Sequence, residues 1–440
     1  MATIPQVARA MQRILGPVAE RAARATGFVQ RASKLTGACF VQTLVFGWLA
    51  QPEARLAQLT QTAATLGVGI TPQAFAERFS RASAECVREV LEEAVQVVLA
   101  ADPVAVPVLR RFAQVAVQDC TTIALPAALA AVWPGCGGRT ATSGSAALKL
   151  GVRLDLVTGQ LSGPYVEAGR ANDRATTSAA LPPPPGALRL ADLGFFSLDE
   201  LAEQNTQGVL WLSRWQPGTA LYTADGTRHD LRALLAAVPA ATLDQPVRLG
   251  VHQQVPARLL ATRVPQEVAD QRRRRLRAAA RDKGRMVSAA QLALCAWTIL
   301  VTTVSPACLT LHEALVLART RWQSELLFKR WKSQLRVDEW RSANPWRILT
   351  AVYAKLLAAL VQHWLVLVGC WQQPDRSLVK ASQTIQAHAF HLAAAFNADA
   401  TLCLALQTLA RCLATTGRLT KRHAAPSTTQ LLFAHDAVLA

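Results

Sequence analysis

Three carboxylates in this chain stand where acids can do chemistry. Asp119 lies in Val-Gln-Asp-Cys-Thr and Asp192 in Ala-Asp-Leu-Gly-Phe-Phe, each closing a short apolar run that reads as a buried strand. Glu325 falls in Arg-Trp-Gln-Ser-Glu-Leu-Leu-Phe-Lys-Arg-Trp-Lys, a helical stretch between Arg321 and Lys332. Two acids at strand ends and a third on a helix can converge on a pair of divalent metals, and a two-metal site cuts and joins phosphodiesters. At about 100° per residue, positions 318, 321, 325 and 332 fall within roughly 60° of one another, so Arg321 and Lys332 share the stripe of Glu325. Cations flanking an acid suit a site where the acid binds metal and the cations clamp phosphates. Ordinary intrahelical ion pairs on a solvated face would leave the same pattern.

The elements that must position these residues can be read from periodicity. Phe112 to Gln118 is a compact strand ending at Asp119. Leu148, Leu150, Val152, Leu154 and Leu156 alternate with Lys149, Gly151, Arg153 and Asp155, which predicts a half-buried antiparallel strand with Asp155 on its exposed face. Thr158-Gly159-Gln160 turns the chain into a partner strand through Tyr165 and Val166. A proline-rich loop from Pro182 feeds the strand Ala187 to Ala191, which ends at Asp192. Ser197 and Glu200 then open a short helix as a capping box, and Gly208 to Trp215 is the next strand. Strand-like and turn-rich sequence follows, with Ala224-Asp225-Gly226-Thr227 as one turn. Trp297 to Val301 reads as a buried strand, and Thr310 to Leu335 as one long helix.

Both ends of the chain are helical in pattern. Residues 1 to about 105 carry apolar spacings of three and four, as at Leu56, Leu59 and Ala63 and at Val87, Val90, Leu91 and Ala94. Between those runs, Gly67 ends one helix, Thr71 caps the next and Pro72 takes its first position. The second helix would carry Gln73, Glu77, Arg78 and Arg81. A helix-turn-helix entering a DNA groove and a plain helical hairpin both fit. After Asn344-Pro345 the chain is mostly apolar helix to about Leu413, followed by a loosely ordered tail.

Composition narrows the class. A chain of 440 residues, half of them apolar, should bury several cores rather than stay disordered. Its net charge of +18 favours salt-sensitive contact with a polyanion, although charge also serves solubility. Nine scattered cysteines without a Cys-x-x-Cys pair point to a reducing cytoplasm, against a disulfide framework and against a zinc module. The start, Met-Ala-Thr-Ile-Pro-Gln, lacks the features of a signal peptide. Leu356 to Trp371 is the most membrane-like stretch, but Gln362 and His363 interrupt it and a buried helix explains it better.

Arg321-x3-Glu325-x6-Lys332 resembles the Tyr-Arg-Glu-Lys signature of bacterial DDE transposases of the insertion-sequence-four family. Asp119-Cys-Thr and Asp192-Leu-Gly-Phe-Phe resemble the other two acidic motifs. The signature tyrosine falls at Ala318, so a phosphate-contacting hydroxyl is missing. The resemblance covers residues 112 to about 365 well and the N-terminus more loosely. It implies an α/β fold: an RNase H-like mixed sheet flanked by helices, with a mainly β insertion and helical N- and C-terminal regions. The expected divisions are 1–107, a helical DNA-binding region; 108–204 and 306–370, the two parts of the core; 205–305, the insertion; and 371–440, helical. Asp119, Asp192 and Glu325 would ligate two Mg²⁺, with Mn²⁺ able to substitute, since oxygen ligands suit either ion.

The resemblance also implies cleavage of transposon ends through hairpins and strand transfer into target DNA. The partners would be double-stranded DNA and a second copy of the chain in a paired-end complex, in the cytoplasm at the nucleoid and away from any membrane. Trp297 sits on the strand where relatives place a tryptophan that stacks on a flipped base, and a core tryptophan fits the same position. The run Arg272, Arg273, Arg274 and Arg275 reads as DNA backbone contact or as a solvated helix face. His388 and His391, three apart on an apolar helix without acidic company, read as core or partly solvated residues. Two rival functions stand beside the transposase: a DNA-binding inhibitor of transposase descent that no longer cuts, and a structure-specific nuclease with the same core.

Overall fold

A computed structural model of the chain describes residues 2–31, 33–136, 145–373, 375–419 and 431–432. Its strands are β1 (Val115–Leu125), β2 (Ala146–Asp155), β3 (Leu161–Ala168), β4 (Leu188–Ala191), β5 (Leu210–Arg214), β6 (Leu221–Thr223), β7 (Arg228–His229), β8 (Thr242–Leu249), β9 (Val255–Arg263) and β10 (Trp297–Thr302). The described residues fall into two compact units. One is drawn from Met1–Arg110, Val117–Pro182 and Trp322–Gln430, the other from Arg111–Ala116, Pro183–Arg321 and Leu431–Ala440.

The first unit joins a helical bundle to the strands β3-β2-β1, in that order. Its axis is the helix Pro345–Gly369, whose N-cap Asn344 accepts from Trp346 N–H and Arg347 N–H. This helix is long and apolar enough to cross a membrane, yet 94% of its most apolar window is buried inside the protein. Against it pack the helices Gly37–Ala50 and Arg81–Val95, burying Phe40, Phe46, Val87, Val90 and Leu91. The helices Leu378–Ala395 and Asp399–Thr416 complete the bundle, and the expected tail after Leu413 lies largely outside the described residues. β2 and β3 pair antiparallel, as the alternation predicts.

That strand is buried on both faces rather than half-buried, and Asp155 is 3% exposed. Its carboxylate accepts from Val157 N–H, Thr158 N–H and Thr158 Oγ1, at 3.0, 3.1 and 2.5 Å, and so builds the turn into β3. Asp155 is therefore a turn-forming residue and not a surface acid. Gly159 closes the turn at φ +71°, a left-handed conformation that favours glycine.

The second unit is a mixed sheet in the order β4-β5-β10-β9-β8-β6-β7. β4 and β5 run parallel and the remaining pairs antiparallel. Trp211, Leu221, Leu249, Leu259, Val301 and Trp297 lie in its core. The segment expected to be mainly β also carries helices at Leu231–Ala237, Gln266–Asp282 and Ala289–Leu294. Arg258 on β9 is buried, pairs with Asp244 and donates to the carbonyls of Val304 and Leu309. Those bonds fix the chain that leads into the next helix.

Further expectations need correction. Ser197 does precede the helix Leu198–Thr206, but its side chain makes no capping hydrogen bond and Glu200 lies 3.9 Å from Arg189, so the capping box does not form. β1 runs through Asp119 to Leu125 instead of ending there, because Thr121, Thr122 and Ile123 are β-branched and hold the extended backbone until Pro126. The helix expected over 310–335 is two, Leu311–Thr320 and Trp322–Gln334, with Arg321 at the joint. Thr320 Oγ1 donates to the Leu317 carbonyl at 2.6 Å and competes there with the backbone. In the N-terminal region Thr71 and Pro72 do open a helix, but it spans only Pro72–Ala76. Ser80, in a capping box with Ser83, restarts the chain as a separate helix. Glu77, Arg78 and Arg81 therefore share no helix with Gln73, and a five-residue helix is too short to serve as a recognition helix.

Candidate active site

In the first unit the acids Asp119 and Glu325 are brought to neighbouring elements. Ser324, fully buried beside Glu325, donates its hydroxyl to Asp119 Oδ2 at 2.8 Å. The other carboxylate oxygen accepts from Cys120 N–H at 2.8 Å. About two turns further along the same helix, Lys332 Nζ donates to Thr121 Oγ1 at 3.0 Å and to the Thr122 carbonyl at 3.2 Å. The helix Trp322–Gln334 is thus tied to β1 at both ends, with Leu327, Phe328 and Trp331 on its buried side. Glu325 itself is half-buried.

In the second unit Asp192 follows β4 directly and opens the short turn Leu193–Phe195. The parallel register that sets Leu190 beside Leu212 brings Arg214, at the end of β5, alongside Asp192, and the two form an ion pair. Partial burial pushes the Asp192 carboxyl up. The Leu193 N–H, Arg214 and Arg321 outweigh that push, and it sits below the usual carboxylate range. Asp192 is therefore ionised at neutral pH with two cations acting on it. Arg214 could have been found only by knowing that the two strands run parallel.

Among the described residues no group of three or more His, Cys, Asp or Glu side chains is gathered closely enough to enclose a metal ion. Taken one unit at a time, the side chains are of the oxygen-donor type that a hard cation takes. In the first unit Asp119, on β1, is held by hydrogen bonds and Glu325 follows the serine that holds it; in the second, Asp192, just after β4, is held by Arg214.

Residues 110–361 match the family model for the transposase DDE domain. The chain belongs to the DDE transposases. It is 25% identical over 374 residues to the transposase for insertion sequence element IS231F of Bacillus thuringiensis subsp. israelensis, covering 79% of this chain and 77% of the relative. It is 27% identical over 365 residues to that for IS231C of Bacillus thuringiensis subsp. berliner, covering 78% and 75%. With the transposase for IS1151 of Clostridium perfringens the identity is 22% over 372 residues, covering 78% and 76%. The resemblance to insertion-sequence-four transposases and the α/β class with its mixed sheet, flanking helices and RNase H-like core stand accordingly.

Other residues of the transposase singled out by sequence divide by environment. Trp297 is 8% exposed, packed in the core of its sheet, with the Arg263 guanidinium 4.8 Å from its ring centre. Arg272 donates to the Trp297 carbonyl and to Thr298 Oγ1, while Arg273 pairs with Asp270 and donates to the Leu292 carbonyl. These two arginines pin their helix to β10 and to its neighbour, whereas Arg274 and Arg275 point to solvent. Ala318 lies on the helix Leu311–Thr320. His388 is partly buried against the Thr384 carbonyl, and His391 is exposed. Sequence reading missed Ser324 and Trp322, the latter 58% exposed between Arg321 and the Asp119-binding serine.

Ser324 supports a direct prediction. Ser324→Ala should weaken Mn²⁺ binding by about 10–100-fold, the usual effect of losing a hydrogen bond that orients a ligand, while leaving DNA affinity unchanged. Calorimetric titration of Mn²⁺ beside a DNA gel shift would check it, and unaltered metal affinity would remove Ser324 from the site.

Proposed function

We propose that this transposase moves its element by cut-and-paste. It would bind the terminal inverted repeats, pair two ends as a homodimer, cut them through hairpin intermediates and join the 3′ ends to target DNA. The observation that carries this reading is the double tie between the Glu325 helix and β1, from Ser324 to Asp119 and from Lys332 to Thr121 and Thr122, inside the family match. It supports a site in which acids and a phosphate-binding lysine act together. The cytoplasm, at the nucleoid, is the compartment that this substrate implies.

In this reading Asp119, Asp192 and Glu325 are the acids that hold two Mg²⁺, for which Mn²⁺ can substitute. Bound there, the metals would activate a water or 3′-OH nucleophile and stabilise the departing 3′ oxygen. The chain's own side chains do the rest. Ser324 and the Cys120 N–H orient Asp119. Arg214 balances the charge of Asp192. Arg321 and Lys332 hold phosphates, and Arg274 and Arg275 offer solvent-facing charge to the DNA backbone. Residues 108–204 and 306–370 would form the catalytic core around the 205–305 insertion, with 1–107 and 371–440 as helical regions. Trp322, being exposed, is better placed to stack on a base than the buried Trp297.

Ala318 keeps the inhibitor reading in view, since the signature hydroxyl is absent. Arg321→Ala and Lys332→Ala should weaken the paired-end complex and slow cleavage by about 10²–10³-fold, as loss of a charge-stabilising donor does. Ala318→Tyr should leave activity equal or higher. End-labelled repeat duplex, incubated with protein and Mg²⁺ and run on a denaturing gel, tests the hairpin step. A nick followed by a snap-back product supports it; double-strand cleavage with no hairpin at any time sinks it.

A further inference from the structure

The first unit contains a positively charged interior that the catalytic reading does not use. Arg330, five residues beyond Glu325 on the same helix, is 2% exposed, and none of its three guanidinium nitrogens has a hydrogen-bond partner. Arg376, partly buried, has its guanidinium 4.0 Å from the Trp371 ring centre and donates to the carbonyls of Trp371 and Gln373. Both arginines act electrostatically on His363 and on Cys370. The imidazole of His363 stands 5.9 Å from Trp371, centre to centre.

Among the described residues no carboxylate pairs with either guanidinium. Asp375, next to Arg376, pairs with Arg418. Asp155, in the turn that carries Gly159, accepts from Val157 and Thr158. His363 cannot help as an anion and does not add a cation. Burial, with both arginines pressing the same way, lowers its pKa to about 4 against the opposing bond to Gly159, so it is neutral. Its Nε2 donates to the Gly159 carbonyl at 2.7 Å, leaving Nδ1 without a partner. The Cys370 thiol is pushed up to about 11 by burial and stays protonated. The Trp371 indole N–H is buried and unpartnered as well.

A buried guanidinium with no acceptor loses its hydration and gains nothing in return, which native interiors do not tolerate. Here the Arg330 guanidinium and the Trp371 indole N–H are buried donors without an acceptor, Arg376 lies over the same indole, and of the unmet groups on Arg330, Trp371 and His363 all but His363 Nδ1 are donors. We propose that this cluster of Arg330, Arg376, Trp371 and Cys370 binds a small inorganic anion, of which chloride is the simplest. The anion accepts from both guanidinium groups and from the Trp371 N–H. It cross-links the Glu325 helix to the segment that follows Pro345–Gly369, and the occupied site holds that helix in its place against β1.

The test uses the full chain. Thermal unfolding in potassium chloride and in potassium gluconate at matched ionic strength should differ, with chloride raising the midpoint by roughly 2–4 °C. Arg330→Met keeps the length of the side chain and removes the charge, so this variant should fold and show no difference between the two salts. Arg376→Met should show a reduced difference. Crystals soaked in bromide should give an anomalous peak within hydrogen-bonding distance of the Arg330 guanidinium. Equal midpoints for the wild type in both salts, or density at Arg330 that is water alone or a protein carboxylate, would overturn the proposal. A chloride effect that persists in Arg330→Met would place the anion elsewhere and overturn it equally.

Discussion

Asp119→Asn, Asp192→Asn and Glu325→Gln are each expected to abolish cleavage of transposon ends while leaving end binding nearly intact. Each substitution preserves shape and removes one anionic oxygen. Losing a few kilocalories of metal-mediated charge stabilisation corresponds to a rate loss on the order of 10³-fold or more. The DNA contacts persist because the net charge of +18 rises by one unit rather than falling. Asp192→Asn carries an additional signature. Its carboxyl lies below the ordinary range through Leu193, Arg214 and Arg321, so its folded-state contribution is present above the unfolded pKa and is lost as pH falls through the lower folded value. In the asparagine variant that acid-side loss should shrink. Cleavage by any one variant at near wild-type rate in Mg²⁺ would remove that residue from the catalytic set.

Trp297→Ala is expected to destabilise the second unit by about 3–5 kcal/mol, the range for emptying a core aromatic site. The indole is packed among Val301, Leu259 and their neighbours, with Arg263 over its face, and its carbonyl anchors Arg272. Nicking, hairpinning and solubility should therefore decline together, and Trp297→Phe should recover most of each. A residue that only stacked on a flipped base would behave differently: loss of roughly 1–3 kcal/mol of stacking would slow the hairpin step alone. Urea titration alongside separate measurement of nick and hairpin decides. Undiminished stability with a selective hairpin defect would restore the stacking role to Trp297.

The contrast between these two predictions shows what could be read from residues and what could not. Asp119 and Asp192 were legible because each follows an apolar run, and Glu325 because Arg321 and Lys332 frame it at helical spacing. The partners that hold them were not. Arg214 meets Asp192 only through the parallel register of β4 and β5, which no local pattern encodes. Ser324 is a small hydroxyl in a helix, a position where serine usually signals nothing. Alternation identified β2 correctly, but an interior strand between β3 and β1 is covered on both faces, so Asp155 was buried where periodicity placed it outside. The arginine run divided for a similar reason. Charge density gave no means of telling Arg272 and Arg273, which bind carbonyls and an acid within the fold, from Arg274 and Arg275, which do not.

The most direct measurement is excision in vitro. Purified protein is incubated with Mg²⁺ and a supercoiled donor plasmid carrying the element's own terminal inverted repeats around a marker segment. Cut-and-paste action predicts release of the intact segment, dependent on both repeats, abolished by chelation and absent with Asp119→Asn. Repeat-specific binding without any strand cleavage, or nicking that proceeds equally on a plasmid lacking the repeats, would contradict it.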